Sequence, residues 1–425
     1  MGLLLTALLL VVLVLGMPVA FGMGLIALVY LLVVGDFGLT TIPQKMFSGM
    51  ESFLLLAIPF FLLAGSLMNY GGVTRRLVAF ASTLVGHVHG GLGQVTVLAN
   101  MIMAGMSGTA AADTVATGTV LIPSMIREGY SRGFAAALTA SAATIGPIIP
   151  PSVAFVIFGS LTGVSIGQLF LAGCIPGVLM GLYLMIACYL VARRRGYQGA
   201  ARRASGRAVW RAFLAAAPSM LTPVFVLGAL VAGVVTATEA AAIAVIYSLF
   251  LGICYRELKL AHAAPILTEV IVNTAVIYLL LGVFNLLGWI LAVEQIPQTI
   301  ASAFLDLTEE PVVALLIINL LLLVLGMVVE PVPMMVLLGP MLVTVTQQYG
   351  IDPVHFGVLF VLNTLIGVVS PPIGLNMFIA CALARCSAGE FTREVIPFLI
   401  ALVLLLFTVT YIPGLTLWLP ESLMR

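Results

Sequence analysis

Gly146-Pro147-Ile148-Ile149-Pro150-Pro151-Ser152 interrupts an apolar run near residues 133–165, and Gly367-Val368-Val369-Ser370-Pro371-Pro372 interrupts a second run near 354–385. Proline has no amide hydrogen and disfavours helix in the residue before it, so each Pro-Pro pair opens the backbone inside a would-be membrane helix. The opening frees carbonyls and amides, and leaving these unsatisfied in hydrocarbon costs several kcal/mol each. Such breaks persist where protein, water or an ion satisfies the freed groups. Two breaks with the same glycine-to-proline spacing therefore predict helices that enter the membrane and stop inside it, around a site.

The rest of the chain supplies the membrane helices. Of 425 residues, 62% are hydrophobic and 8% charged, against roughly 45–50% apolar and about 25% charged in a soluble domain. So few charges cannot cover a 44.7 kDa particle, which excludes a water-soluble domain. A helix needs about 20 residues to cross about 30 Å of hydrocarbon. Apolar runs fall near 3–34, 52–70, 74–93, 95–126, 133–165, 168–192, 212–234, 239–255, 263–293, 311–347, 354–385 and 394–419. The first lacks a basic n-region and a cleavage site, and is expected to be a retained span. A formal net charge of +1 argues against a nucleic-acid partner, whose phosphates need a broad basic face. Arg193, Arg194, Arg195, Arg202, Arg203, Arg207 and Arg211 cluster as a cytoplasmic loop would under the positive-inside rule. Cys174, Cys188, Cys254, Cys381 and Cys386 stand singly, with no CxxC pair, and read as packing residues.

Two runs are too long for one straight span. Those near 95–126 and 311–347 have polar or proline-rich centres, Ser107-Gly108-Thr109 and Glu330-Pro331-Val332-Pro333, which suits hairpins that enter and leave by one face. Each precedes a broken run, so the two halves share one plan. An ungapped offset of 221 aligns Gly105 with Gly326, Gly118 with Gly339, Gly129 with Gly350, Gly146 with Gly367, and Pro150-Pro151 with Pro371-Pro372. Over residues 105–151 it gives 11 identities in 47 positions, six of them glycine or proline, where apolar composition alone would give roughly half as many. Interrupted helices at matching positions of two halves point to a transporter binding site near the midplane, usually with the halves inverted.

Freed carbonyls with hydroxyl and amide oxygens make a hard oxygen cage for a small cation, and helix N-termini aimed inward favour an anion. Sodium with a carboxylate is the natural pairing. The candidate sodium ligands are Ser107, Gly108, Thr109, Thr144, Gly146, Asn363, Thr364, Gly367 and Ser370. The candidate substrate residues are Asn100, Asp113, Pro150, Pro151, Ser152, Pro371, Pro372 and Asn376. Serine and threonine can equally bond back to the preceding helical turn, and asparagine can join neighbouring helices. Asp113 is the sharpest of the set, because a carboxylate with no basic neighbour in sequence is expensive at membrane depth. Glu239, Glu294 and Glu330 read as caps or ion-pair partners, His87 and His89 as loop residues, and Asp352 as the cap of the helix carrying His355. No HExxH, GxGD or GxxxxGK[ST] motif occurs, which leaves no ground for an intramembrane hydrolase or an ATPase. The chain is read as a non-enzyme.

These residues resemble the large membrane subunit of a TRAP (tripartite ATP-independent periplasmic) transporter. The matching stretches are Ile58 to Gly65, Met106 to Asp113, Gly146 to Ser152, Thr236 to Ala241, Gly350 to Gly357 and Asn363 to Asn376, in the family's order over nearly the whole chain. Ala237 departs from a more usual proline, away from the site. The resemblance implies a sodium-driven importer of small organic acids in the lipid of the bacterial inner membrane. It also implies two partners, a small membrane subunit expected as a separate polypeptide and a soluble periplasmic binding protein. The implied fold is an all-α polytopic membrane protein with two inverted repeats, each a re-entrant hairpin followed by a broken helix, arranged as an elevator of scaffold and transport domain. Scaffold helices are expected over 1–93, the first hairpin and broken helix over 94–167, and scaffold and connecting helices with the basic loop 193–211 over 168–310. The second hairpin and broken helix follow over 311–387, and a last membrane helix over 388–425. The rival reading is a stand-alone sodium- or proton-coupled dicarboxylate or citrate symporter without a binding protein.

Overall fold

A computed structural model describes residues 17–34, 37–200 and 203–424, with backbone only at Ser107. Residues 3–16 of the first expected span, and Arg202 of the basic loop, lie outside the described residues. Every regular element among the described residues is helical. The chain opens with α1 (Val19–Val34), α2 (Thr41–Met50), a 3-10 turn at Phe53–Leu56, α3 (Ala57–Tyr70) and α4 (Val73–Val85). The first hairpin is α5 (Gly91–Ser107) and α6 (Ala110–Arg127), and the first broken helix is α7 (Arg132–Ala143) and α8 (Val153–Thr162). Then come α9 (Ile166–Arg195), α10 (Gly206–Val231), α11 (Ala237–Cys254), a 3-10 turn at Leu260–His262, α12 (Ala263–Val293) and α13 (Ile296–Leu307). The second hairpin is α14 (Pro311–Gly326) and α15 (Pro331–Gln348), the second broken helix α16 (Pro353–Gly367) and α17 (Leu375–Ala384), and α18 (Ala388–Tyr411) and α19 (Gly414–Leu423) finish the chain.

Among the described residues six helical stretches are long and apolar enough to cross a bilayer: Phe53–Tyr70, α9, α10, α11, Leu260–Val293 and α18. Apart from α1 (Val19–Val34), the shorter apolar pieces belong to the two hairpins and the two broken helices, as the proline pattern requires. The capping chemistry is local. Ser131, Ser152, Ser165 and Asp352 accept hydrogen bonds from first-turn amides of α7, α8, α9 and α16, and Thr236 with Glu239 and Ser387 with Glu390 form reciprocal boxes at α11 and α18.

Shifting the first unit by 221 residues superposes it on the second helix for helix. Ala110–Arg127 falls on Pro331–Gln348, and Arg132–Ala143 falls within Pro353–Gly367. The Pro150-Pro151 and Pro371-Pro372 bonds are both cis. The packing is reciprocal as well. Helix α8 of the first unit lies on α15 of the second, while α17 of the second lies on α6 of the first. At residue level a Cβ on Gly118 would meet Leu383 Cδ1 at 2.8 Å, and one on the equivalent Gly339 would meet Thr162 Cγ2 at 3.9 Å. Thr162 and Leu383 are themselves equivalent under the shift. Exchange of partners in this way is the signature of an approximate two-fold axis between the units.

The structure departs from the apolar map in three places. The run near 74–93 ends at Val85, because Gly86 and the left-handed Gly90 (φ +75°) turn the chain through His87–His89 into the hairpin. The last run divides at Ile412-Pro413, where proline cannot continue α18. Helices α2 and α13 were not foreseen. Both are short and carry a single apolar stripe, too narrow to register as membrane runs.

Candidate substrate and ion sites

Helix α5 ends at Ser107, and Gly108 turns the chain in the left-handed region (φ +63°) before Thr109 starts α6. That tip is pressed onto the first break. A Cβ on Gly108 would sit 3.3 Å from the Pro151 carbonyl oxygen and from Val153 N, and one on Gly105 would sit 3.1 Å from the Pro150 carbonyl oxygen. Asp113, fully buried in the first turn of α6, faces Gly146 so closely that any side chain there would strike its Oδ2. The sequence candidates Gly108, Asp113, Gly146, Pro150 and Pro151 thus form one buried junction. The absence of a side chain at Gly146 is what admits the carboxylate.

The second junction uses a glycine pair. Gly326, at the end of α14, lies against Gly367, at the end of α16, with a Cβ on Gly326 only 3.3 Å from the Gly367 Cα. Asn363, one turn earlier, donates from Nδ2 to Asn319 Oδ1 at 2.8 Å and to the Leu359 carbonyl at 2.9 Å, and Asn319 donates to Thr410 Oγ1 at 3.0 Å. This chain ties the hairpin, the broken helix and α18 together. Asn363 Oδ1 and Asn376 Nδ2 are buried and have no hydrogen-bond partner among the described residues. An unsatisfied buried oxygen beside a broken helix is the kind of ligand a sodium ion takes.

Several other candidates are bonded locally. Thr144 donates to the Ser141 carbonyl at 2.6 Å, Thr364 to Val361 at 2.7 Å and Ser370 to Ile366 at 2.7 Å. Asn100 donates to the Thr96 carbonyl at 2.8 Å and faces Thr117 Oγ1 at 3.4 Å. Ser152 donates to the Pro147 carbonyl and accepts from Phe155 N, which caps α8 and closes the break on itself. These hydroxyls keep free lone pairs, so back-bonding orients them without preventing a cation from using them. The first Pro-Pro pair is buried, whereas Pro372 of the second is exposed.

Between the hairpin tips and the helices α3 and α12 lies a cavity of about 570 Å³. Thr109, Ala111 and Ala112 of the first tip line it, as do Glu330 and Pro333 of the second. The tips differ in chemistry. Thr109 makes no side-chain cap, and the positive end of the α6 dipole lies at this tip. At the second tip Pro331 and Pro333 remove two first-turn amide donors, and Glu330 adds a carboxylate. An anion is therefore favoured at the first tip and disfavoured at the second.

The family described as Tripartite ATP-independent periplasmic transporter, DctM component, matches residues 6–415. The chain belongs to this family. It is 43% identical over 410 residues to the sialic acid TRAP transporter large permease protein SiaM of Vibrio cholerae, covering 96% of this chain and 95% of that one. It is 40% identical over 384 residues to the C4-dicarboxylate TRAP transporter large permease protein DctM of Pseudomonas aeruginosa, covering 89% of each. Among solved structures, the YdaH transporter of Alcanivorax borkumensis is similar in fold, with a TM-score of 0.62 at 16% identity over 88% of each chain. The chain is thus a TRAP transporter large permease, a multi-pass protein of the bacterial inner membrane and not an enzyme.

In this TRAP permease the sequence candidates lie in the two hairpins and the two broken helices, and of them Thr109 lines the cavity. Glu239 is a helix-capping residue as read, whereas Glu294 accepts from the Tyr30 hydroxyl at 2.6 Å instead of pairing with an arginine. Glu330 instead lines the cavity. Sequence reasoning passed over Ser66, Asn69, Glu269 and Asn273, which form the opposite wall. A signal was present. Glu269 is a carboxylate inside the apolar run 263–293, and Asn273 follows one helical turn later.

Proposed function

We propose that this permease is a sodium-driven secondary transporter that imports small organic acids handed to it by a periplasmic binding protein. It works with a separate small membrane subunit, by an elevator motion of the hairpins and broken helices against α3, α11 and α12, and its two units are inverted in the membrane. The observation that carries this reading is the reciprocal pair of units with a cavity between their tips and the remaining helices. A permeant molecule held there touches both units and the wall against which they would slide. Relatives named for sialic acid and for C4-dicarboxylates support an organic acid. They are permease proteins of TRAP transporters, which disfavours a stand-alone symporter.

Sodium fits the chain's own donors. Asn363 Oδ1, the hydroxyls of Thr144, Thr364 and Ser370, and the carbonyls opened at Gly146 to Pro151 and Gly367 to Pro372 are hard neutral oxygens, with Asp113 supplying one charge beside Gly146. Each sodium ion falling through a tenfold gradient and about 100 mV releases roughly 1.4 plus 2.3 kcal/mol, so two ions provide about 7 kcal/mol. That is enough for strong accumulation without ATP.

The test is uptake into proteoliposomes containing the permease with its membrane partner, with the binding protein and radiolabelled organic acids outside. Uptake should need an inward sodium gradient, collapse when choline replaces sodium, and need the binding protein. Uptake driven equally well by a proton gradient without sodium would refute the coupling ion, and uptake without a binding protein would restore the symporter reading.

A further inference from the structure

The wall of the cavity opposite the hairpin tips is polar in a particular way. On α3, Ser66 and Asn69 are three residues apart and share a face; on α12, Glu269 and Asn273 are four apart and do likewise. Ser66 is buried and donates to Glu269 Oε2 at 3.0 Å, which holds the carboxylate at the wall while leaving its other oxygen available. Among the described residues, the lining includes the carboxylates Glu269 and Glu330 and no lysine, arginine or histidine. A few convergent polar groups on an otherwise apolar wall are what orient a small molecule in a pocket of this volume. The groups here are acceptors and amides, with nothing to neutralise a second negative charge.

We infer that the α3–α12 wall reads the hydroxyl groups of the substrate, with Glu269 the specificity-determining residue, and that the substrate is a polyhydroxylated monocarboxylate rather than a dicarboxylate. The inference rests on the proposed transport of organic acids and narrows it. An aldonic, uronic or sialic acid has one carboxylate for the first hairpin tip, at the positive end of the α6 dipole, and several hydroxyls at its other end. Those hydroxyls donate to Glu269 and exchange hydrogen bonds with Asn69 and Asn273. A short dicarboxylate in the same pose sets its second carboxylate against Glu269 and Glu330, and like charges at close range in a partly desolvated cavity repel strongly. Selection then comes from attraction to hydroxyls and rejection of a second charge together.

The test uses the full-length permease with its membrane partner in detergent, at fixed sodium and ionic strength. Ligand is read by the rise in unfolding midpoint, since a molecule that binds only the folded form stabilises it in proportion to occupancy. The probes are gluconate, glucuronate and N-acetylneuraminate against succinate and glutarate. At least one polyhydroxy acid should raise the midpoint saturably, and the dicarboxylates should need at least about tenfold more to do so. Glu269→Gln should weaken the polyhydroxy acid about tenfold, because a hydrogen bond to a charged acceptor becomes one to a neutral amide. The same change should narrow the gap to succinate. If Glu269→Gln does not fold, Asn273→Ala carries the test, with a weakened polyhydroxy acid and unchanged succinate. Equal binding of succinate and the polyhydroxy acids, or an unaltered order of affinities in both variants, overturns the inference. A permease that answers to none of the five probes yet takes up another organic acid in vesicles overturns it too. Vesicles that take up no organic acid at all would sink the transport reading, and this inference with it.

Discussion

Replacing Gly367 by alanine puts a methyl group where there is backbone. The added Cβ would lie 2.5 Å from the carbonyl carbon of Gly326 and 2.7 Å from its Cα, and would overlap the carbonyl oxygen outright. Carbon atoms pack at about 3.5–4.0 Å, so the second hairpin would have to retreat from the broken helix by about 1 Å. Neither partner is a side chain that could rotate away. Overpacking a tight core costs about 1–3 kcal/mol, and a backbone-to-backbone clash belongs at the upper end. Alanine's better helix propensity returns up to about 1 kcal/mol, leaving a net loss of about 2 kcal/mol. The reciprocal Gly326→Ala should be milder, since its Cβ would stand 3.3 Å from the Gly367 Cα. Gly228→Ala, in α10 with nothing within 4 Å of the added atom, should be neutral or stabilising. The assay is the unfolding midpoint of the three purified variants, read alongside sodium-dependent uptake. The expected order is Gly367→Ala lowest by several degrees, Gly326→Ala intermediate, and Gly228→Ala at or above the native chain. Native midpoint and native uptake in Gly367→Ala would refute the claim that this glycine pair seats the hairpin on the break.

Asn363→Ala should raise the sodium concentration for half-maximal uptake several-fold, because it deletes the unpartnered buried Oδ1; a sodium titration with unchanged half-saturation would remove Asn363 from the ion site. Tyr30→Phe removes the 2.6 Å hydrogen bond that its hydroxyl donates to Glu294 between α1 and the end of α12. A bond to a charged acceptor carries about 1.5–3 kcal/mol, so the midpoint should fall while sodium dependence stays native. Thr236→Ala breaks the reciprocal box at the start of α11 and should cost about 1 kcal/mol, measured the same way.

The repeat was legible because proline and glycine speak through the backbone. A Pro-Pro pair breaks a helix whatever surrounds it, and both breaks and both hairpin tips fell where the spacing of Gly105, Gly146 and Pro150-Pro151 and their partners put them. The resemblance implied two inverted repeats, but hydropathy alone could not establish the two-fold relation, since it lives in which helix packs on which, as between Gly118 and Leu383. Asp352 as a cap could be read from Asp-Pro before an apolar run, and it caps α16 as read. Proximity in sequence to a break proved a different thing from facing the cavity. Ser152 and Thr144 lie in a break and hydrogen-bond within it, whereas Glu269 lies about a hundred residues from either break and helps to line the cavity between the two tips. Helix α13 escaped because its amphipathic stripe only makes sense once α15 is beside it.

The reciprocal packing has a mechanical consequence that cross-linking can read. Because α8 sits on α15 and α17 sits on α6, neither hairpin can travel without carrying the other unit's broken helix. The two units should therefore move as one body, and the surface of slip should be the cavity wall against α3 and α12. Gly118 and Leu383 belong to different units but touch, so a Gly118→Cys, Leu383→Cys pair joins parts that travel together. Asn69 and Pro333 line opposite sides of the cavity, so an Asn69→Cys, Pro333→Cys pair bridged by a short bismaleimide joins the wall to the second tip. With the five native cysteines replaced, closing the first pair should leave uptake near native, and closing the second should abolish it, with reversal when a cleavable linker is cut. Uptake that survives a fully formed Asn69–Pro333 bridge would mean that substrate crosses without displacement of the tips from α3. The two interlocked units would then be gates opening locally, not a body that moves.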